Sequence, residues 1–258
     1  MADDGGGPTA SDADGRTAAA DADGTSTTAD ADQETVADGT AEPGADTPEV
    51  PIPDEVARRL VHASTSVVPL SYLLLESVTW RRLQIFLLAA VVVGFGLELL
   101  RLRARLEWAV FDRLTREYEQ DNLAGYYLGA VGMATVALVF PPPGADPVVA
   151  AVAADPTHVA VPAMFMLTVA DPTSGLLGSG TLRPAKQGWV LLATFGVATL
   201  LAVPFVPSLA AVLGGVAATV ADGVKPVVRG YVLDDNLTIP VSAAVAMYVA
   251  VQYLPALG

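Results

Sequence analysis

The residues best equipped for chemistry lie in two short polar stretches. One holds Asp171, Arg183 and Lys186; the other holds Lys225, Arg229, Asp234, Asp235 and Asn236. Each stretch follows an apolar run. Carboxylates gathered at such a boundary suit a hard cation such as magnesium, which takes oxygen ligands and commonly shares them with substrate phosphates. Arg and Lys beside them suit the phosphates themselves. Asp171, Asp234 and Asp235 are therefore the candidate metal ligands, with Asp171 also a candidate base. Gly175, Gly178 and Gly180 come soon after Asp171 and Pro172, where backbone amides could approach a phosphate; glycines near a helix end equally serve packing or a turn. His62, close behind Arg58 and Arg59, could contact a phosphate or cap the apolar segment it opens. The competing reading of both stretches is that they are ordinary loops whose bases set orientation and whose acids balance them.

Other chemistries are excluded or disfavoured by composition. The chain has no cysteine, which removes disulfides, thiolate nucleophiles and cysteine zinc sites. His62 and His158 stand far apart without a local ligand spacing, which argues against a histidine metal site. The net charge of −14 belongs to residues 1–55, where fifteen acids face Arg16 alone. Residues 56–258 balance thirteen acids with thirteen Lys and Arg. Residues 1–55, rich in Ala, Asp, Gly and Thr, cannot bury enough apolar area to offset ordering entropy and are expected to form a disordered tail. Strong acidity with twelve Arg and two Lys also suits a halophilic organism, in which carboxylates keep a surface hydrated.

The elements that must position the polar stretches read as membrane spans, since about 20 apolar residues cross a 30 Å hydrocarbon core. The spacing predicts spans at Leu60–Thr79, Leu83–Leu100, Gly125–Phe140, about Val159–Leu177, two within Trp189–Ala221 divided by Pro204 and Pro207, and Leu237–Leu257. Between Arg101 and Asp121, Leu102, Leu106, Val110, Leu114 and Tyr118 recur every four residues among charges, which predicts an amphipathic helix on the membrane surface. The piece between Pro147 and Asp155 reads as a short re-entrant segment. Eleven Lys and Arg fall on one side of this arrangement and only Arg81 and Arg82 on the other. The positive-inside rule then puts the N-terminus in the cytoplasm and the C-terminus outside. The expected fold is all-α: a polytopic helical membrane protein with about seven transmembrane helices in residues 56–258.

The segment Asp234-Asp235-Asn236-Leu237-Thr238-Ile239-Pro240 resembles the acidic-Asp-Asn-Leu-Thr-Ile/Val-Pro signature of the CTP-dependent isoprenoid alcohol kinases, the family of dolichol kinase and phytol kinase. Arg59-Leu60-Val61-His62, Gly125-Tyr126-Tyr127, and Asp171 followed by Gly175 agree with that family in order and position, over roughly residues 57–257. Ala170 and Pro172 flank Asp171 where the family usually carries Gly and Ala, and of its Lys-Ser-x-Glu-Gly-Ser segment only Lys186 remains. The resemblance, of the archaeal type, implies phosphate transfer from CTP to a long-chain isoprenoid alcohol at the cytoplasmic membrane face, with Mg2+. It implies catalytic roles for Asp171, Lys186 and Asp235, and nucleotide binding by His62, Gly175, Gly178, Arg183 and Asn236. The expected partners are the lipid bilayer, the alcohol and the nucleotide, with no nucleic acid. The rival readings are a CTP-dependent lipid cytidylyltransferase and a non-catalytic membrane protein or small transporter.

Overall fold

Apolar runs punctuated by Pro and Gly fold here into helices. The computed structural model describes residues 54–104, 122–148, 155–178, 187–224, 227–228, 231–232 and 234–254. The acidic tail, the expected surface helix beyond 104, most of the expected re-entrant segment, Arg183, Lys186, Lys225 and Arg229 lie outside the described residues.

Helix α1 spans Asp54–Ser64, α2 Val67–Leu74, α3 Trp80–Ala104 and α4 Gly125–Val139. Helix α5, Ala160–Phe165, runs through a π-helical turn, Met166–Ala170, into α6, Asp171–Gly178. Then come α7 (Gly188–Ala202), α8 (Ser208–Gly223) and α9 (Asp235–Tyr253). The one extended feature among the described residues is an antiparallel pair of two-residue strands, Val227–Val228 against Tyr231–Val232. Proline sets several boundaries: α4 stops before Pro141-Pro142-Pro143, and Pro204 and Pro207 separate α7 from α8, because proline cannot continue a helical ladder.

Two sequence expectations change. The first expected span, Leu60–Thr79, is two helices that start earlier, at Asp54, and break at Thr65 and Ser66. Ser64 Oγ donates to Val61 O at 2.6 Å and Thr65 Oγ1 to His62 O at 2.5 Å, so hydroxyls bind carbonyls at the end of the first helix. The break also places Pro69 in the first turn of α2, where its missing N–H removes no helical bond. Seven spans of full length are also more than the described helices display. Trp80–Arg103 and Ala160–Gly178 are long and apolar enough to cross a membrane, whereas Gly125–Val139, Gly188–Ala202 and Ser208–Gly223 are shorter apolar helices. A helix of 15 residues rises only about 22 Å.

Helix α9 packs on α8 and α4, α8 on α7, and α4 on α3. One end of this bundle gathers Arg59, His62, Tyr126 and Asn236 around a cavity; the opposite end gathers Tyr72, Trp80, Pro142, His158 and Phe205. The interior is rich in alanine and methionine, with Ala137, Ala163, Ala198, Ala211, Ala243 and Met247 buried beside larger side chains such as Leu83, Leu87, Leu167 and Ile239. The outer faces carry the larger aliphatics, with Val92 70%, Leu192 69% and Leu200 72% exposed. Small interior residues let backbones approach closely. A Cβ on Gly132 of α4 would lie 2.9 Å from both Asn236 O and Pro240 Cγ of α9, and one on Gly214 of α8 would lie 2.5 Å from Met247 Cγ. At the far end Gln84 ties α3 to the chain after α4, donating to Ala137 O at 2.8 Å and accepting from Val148 N at 2.7 Å.

Gly132→Ala should destabilise the bundle by about 1–3 kcal/mol, the usual cost of overpacking a close contact. Gly96→Ala, where a Cβ meets nothing within 4 Å, should be neutral or stabilising. Thermal unfolding of the two variants in detergent checks this contrast, and equal midpoints would refute the close α4–α9 contact.

Candidate functional site

Asp171 owes its position to a local defect in the helix that carries it. Pro172 has no N–H for the carbonyl of Thr168, and its ring would crowd that carbonyl in a regular helix. The backbone widens into the π turn instead, and the Asp171 N–H donates to Met166 O, five residues back. Each inserted residue rotates the succeeding turns by about 100° around the axis. Asp171 thereby faces the interior and is 2% exposed.

Two further carboxylates meet it there. Asp222 lies in the last turn of α8, 1% exposed, and accepts a hydrogen bond from Ser174 Oγ at 2.7 Å through Oδ2. Asp235, 3% exposed, is the first residue of α9. One carboxylate oxygen from each of Asp171, Asp222 and Asp235 lies within 4.8 Å of the others. The helix dipole favours Asp235 at an N-terminus and opposes Asp222 at a C-terminus. Three carboxylates this close and this buried repel strongly when ionised, so the cluster calls for bound protons or cations to offset its charge. Helix α1 contributes a guanidinium, Arg59 Nη1 lying 3.8 Å from Asp171 Oδ2, and an imidazole, His62 Nδ1 lying 3.4 Å from the same oxygen. The oxygen-only donor set of the cluster fits a hard divalent cation.

The sequence-predicted residues divide accordingly. Asp171 and Asp235 converge, and His62 joins them. Asp234, expected as a third metal ligand, is instead the N-cap of α9: its Oδ1 accepts from Asn236 N at 2.9 Å and from Asn236 Nδ2 at 2.5 Å. Asp222, absent from the residues singled out in the sequence, is the third acid of the cluster. Its sequence signal was an acid at the C-terminal end of an apolar run, where a dipole opposes it. Gly175 does not form a phosphate-binding loop, because it lies inside α6, which continues α5 and the π turn without a free N-terminus. Its lack of a side chain serves Arg59: a Cβ at Gly175 would overlap the guanidinium. Gly178 has only Val190 Cγ1 near its Cβ position, at 4.0 Å. Asn236 holds Asp234 and lines the cavity. Lys186 and Arg183 lie outside the described residues.

The cavity reached by Arg59 and His62 has a volume of about 270 Å3 and is bounded by α1, α2, α3, α4, α9 and the π turn. Arg58, Arg59, His62 and Tyr126 give it a polar end, and Leu87, Met133 and Leu167 an apolar wall. Glu98, buried in α3, fixes Tyr126. It accepts from the Tyr126 hydroxyl at 2.5 Å and from Ala124 N at 3.2 Å, and pairs with Arg101 at 2.6 Å. Arg101 in turn donates to Asn122 O at 2.5 Å, which closes the junction between α3 and the start of α4. The described residues thus form a helical bundle with a buried three-carboxylate cluster, joined to an amphipathic cavity through Arg59 and His62, which line the cavity and approach Asp171. Comparison of the chain with family models, with curated proteins and with solved structures finds no match.

Asp222→Asn should weaken divalent-cation binding about tenfold or more, since a principal ligand charge is lost. In metal-free buffer the same variant should unfold no earlier than wild type, because it relieves repulsion. Asp234→Ala should leave cation affinity near wild type and cost about 0.5–2 kcal/mol of stability through the lost cap. Manganese binding followed by electron paramagnetic resonance, beside thermal unfolding, separates the two roles.

Proposed function

We propose that the protein is a multi-pass membrane enzyme that transfers the terminal phosphate of CTP to the hydroxyl of a long-chain isoprenoid alcohol. The observation that carries this reading is the convergence of Asp171, Asp222 and Asp235, with Asp171 approached by Arg59 and His62, the side chains that form the polar end of an otherwise apolar cavity. Nucleotide phosphates need cations, a prenyl chain needs an apolar surface, and both requirements meet within a few residues. The choice of CTP and of an isoprenoid acceptor comes from the likeness of Asp234–Pro240, Arg59–His62 and Gly125–Tyr127 to the isoprenoid alcohol kinases.

Membrane insertion is supported by the outward-facing aliphatics, since soluble monomers rarely expose apolar patches beyond a few hundred Å2. In our reading α1 with α2, α3, α4, α5 with α6, α7, α8 and α9 make seven passages. The carboxylates lie at the cytoplasmic end, the N-terminus is inside and the C-terminus outside. A shorter helix such as α4 is accommodated by local thinning of the bilayer and by the chain flanking it.

In the transfer, the alcohol oxygen bonds to the γ-phosphorus as the bond from that phosphorus to the β–γ bridging oxygen breaks. The alcohol proton passes to a carboxylate of the cluster, and the products are CDP and a prenyl phosphate. Asp171, Asp222 and Asp235 would hold Mg2+, which when bound supplies positive charge to the nucleotide phosphates. Arg59 adds a guanidinium on the cavity side of Asp171, and Gly175 leaves it the room to lie there. Ser174 orients Asp222.

Purified protein in detergent with magnesium, γ-labelled CTP or ATP and a panel of prenyl alcohols should yield labelled lipid, with CTP the better donor. Asp171→Asn, Asp222→Asn and Asp235→Asn should each abolish transfer while the protein stays folded. Release of pyrophosphate with a CDP-lipid would identify a cytidylyltransferase instead, and no product with any acceptor would leave the non-catalytic reading. Single cysteines near positions 110 and 230 should be protected from impermeant thiol reagents in intact cells and one near 144 labelled; labelling at 110 would overturn the orientation.

A further inference from the structure

The cavity reached by Arg59 and His62 changes character along its depth. Its inner wall is closed, with Leu87 and Leu167 each 1% and Met133 7% exposed, whereas Val61 and Phe86 on its lining are 52% and 56% exposed. The exposed part of its lining therefore lies on α1 and α3, at the flank of the bundle. That flank continues two turns beyond Phe86 in Val93 of α3, 62% exposed. The inner end meets Arg59 and His62, the two side chains that also face Asp171.

We infer that this cavity binds the hydroxyl end and first carbons of a single-chain lipid alcohol, with the rest of the chain leaving past Val61 and Phe86 along the outer face of α3. The inference rests on the phosphotransfer reading for the nature of the head group. Volume decides how much of the lipid is read. At about 270 Å3 the space lies just below the roughly 300–1,000 Å3 of pockets that enclose a whole drug-sized ligand. A long prenyl chain cannot be enclosed, so selectivity falls on the units nearest the hydroxyl and length beyond them is ignored. A space of about 270 Å3 takes one hydrocarbon chain at the hydroxyl end rather than two, which disfavours diacyl lipids.

The test uses the full chain in bicelles and a prenyl alcohol bearing a photoreactive diazirine on its second isoprene unit. Label should map to peptides containing Phe86, Leu87 or Met133 and be displaced by unlabelled prenyl alcohols of any greater length, but not by diacylglycerol. Ala90→Phe, which fills the cavity, should weaken labelling about tenfold, equivalent to about 1.4 kcal/mol. Leu200→Phe, on the outer face of α7, should leave it unchanged. If Ala90→Phe fails to fold, Ala130→Leu must produce the loss. Label spread over outer faces, label indifferent to both cavity variants, or equal competition by diacylglycerol would overturn the inference. Labelling of the cavity without phosphate transfer from any nucleotide would refute the kinase and leave the lipid site; transfer with label elsewhere would do the reverse.

Discussion

Burying three carboxylates together is the constraint around which this end of the bundle is organised. The desolvation cost of a buried ion is several kcal/mol even after relaxation, and two like-charged neighbours add to it. Each acid comes from a different helix, so the cluster exists only when α6, α8 and α9 are all in place. Much of the nearby chain offsets the burden. Arg59 and His62 reach Asp171 from α1, Ser174 donates to Asp222, and the N-terminus of α9 turns its dipole toward Asp235. Gly175 belongs to the same arrangement because any side chain there would displace Arg59.

The apolar architecture follows from a second requirement, that helices approach closely without large side chains between them. Alanine and methionine make up much of the interior beside Leu83, Leu87, Leu167 and Phe165, while many other valines and leucines face outward. Gly132 against Asn236 and Pro240, and Gly214 against Met247, seat α9 between α4 and α8, and α9 carries Asp235 on its first residue. Close packing is interrupted where the first apolar segment breaks at Thr65 and Ser66, and the cavity lies against that break, with Thr65 and Val68 on its lining. A break that looks like a flaw in a membrane span is thus also what brings Arg59 and His62 over the acids.

Glu98 illustrates how a buried charge can serve position alone. Its oxygens take the Arg101 guanidinium, the Tyr126 hydroxyl and the Ala124 amide, so the whole junction of α3 and α4 is satisfied internally. Tyr126 is thereby held at the cavity. The same side-chain chemistry has a different consequence at Asp171, Asp222 and Asp235, where three carboxylates also face one another.

The sequence by itself determined where most helices begin and end, because proline and glycine act through local sterics: Pro141, Pro204 and Pro207 mark the observed boundaries. It also marked Asp171, Asp235, His62 and Asn236, polar residues at the margins of apolar runs. The roles of Asp222 and Asp234 were decided only by tertiary structure. Adjacent acids in a chain look equivalent, but at a helix start one becomes the cap and the next turns inward, and which distant acid completes the cluster depends on how α8 packs against α9 and the π turn. Arg59 beside Asp171 and the cavity between α1 and α3 were equally out of reach of periodicity, since residues more than a hundred positions apart meet only through the packing of whole helices.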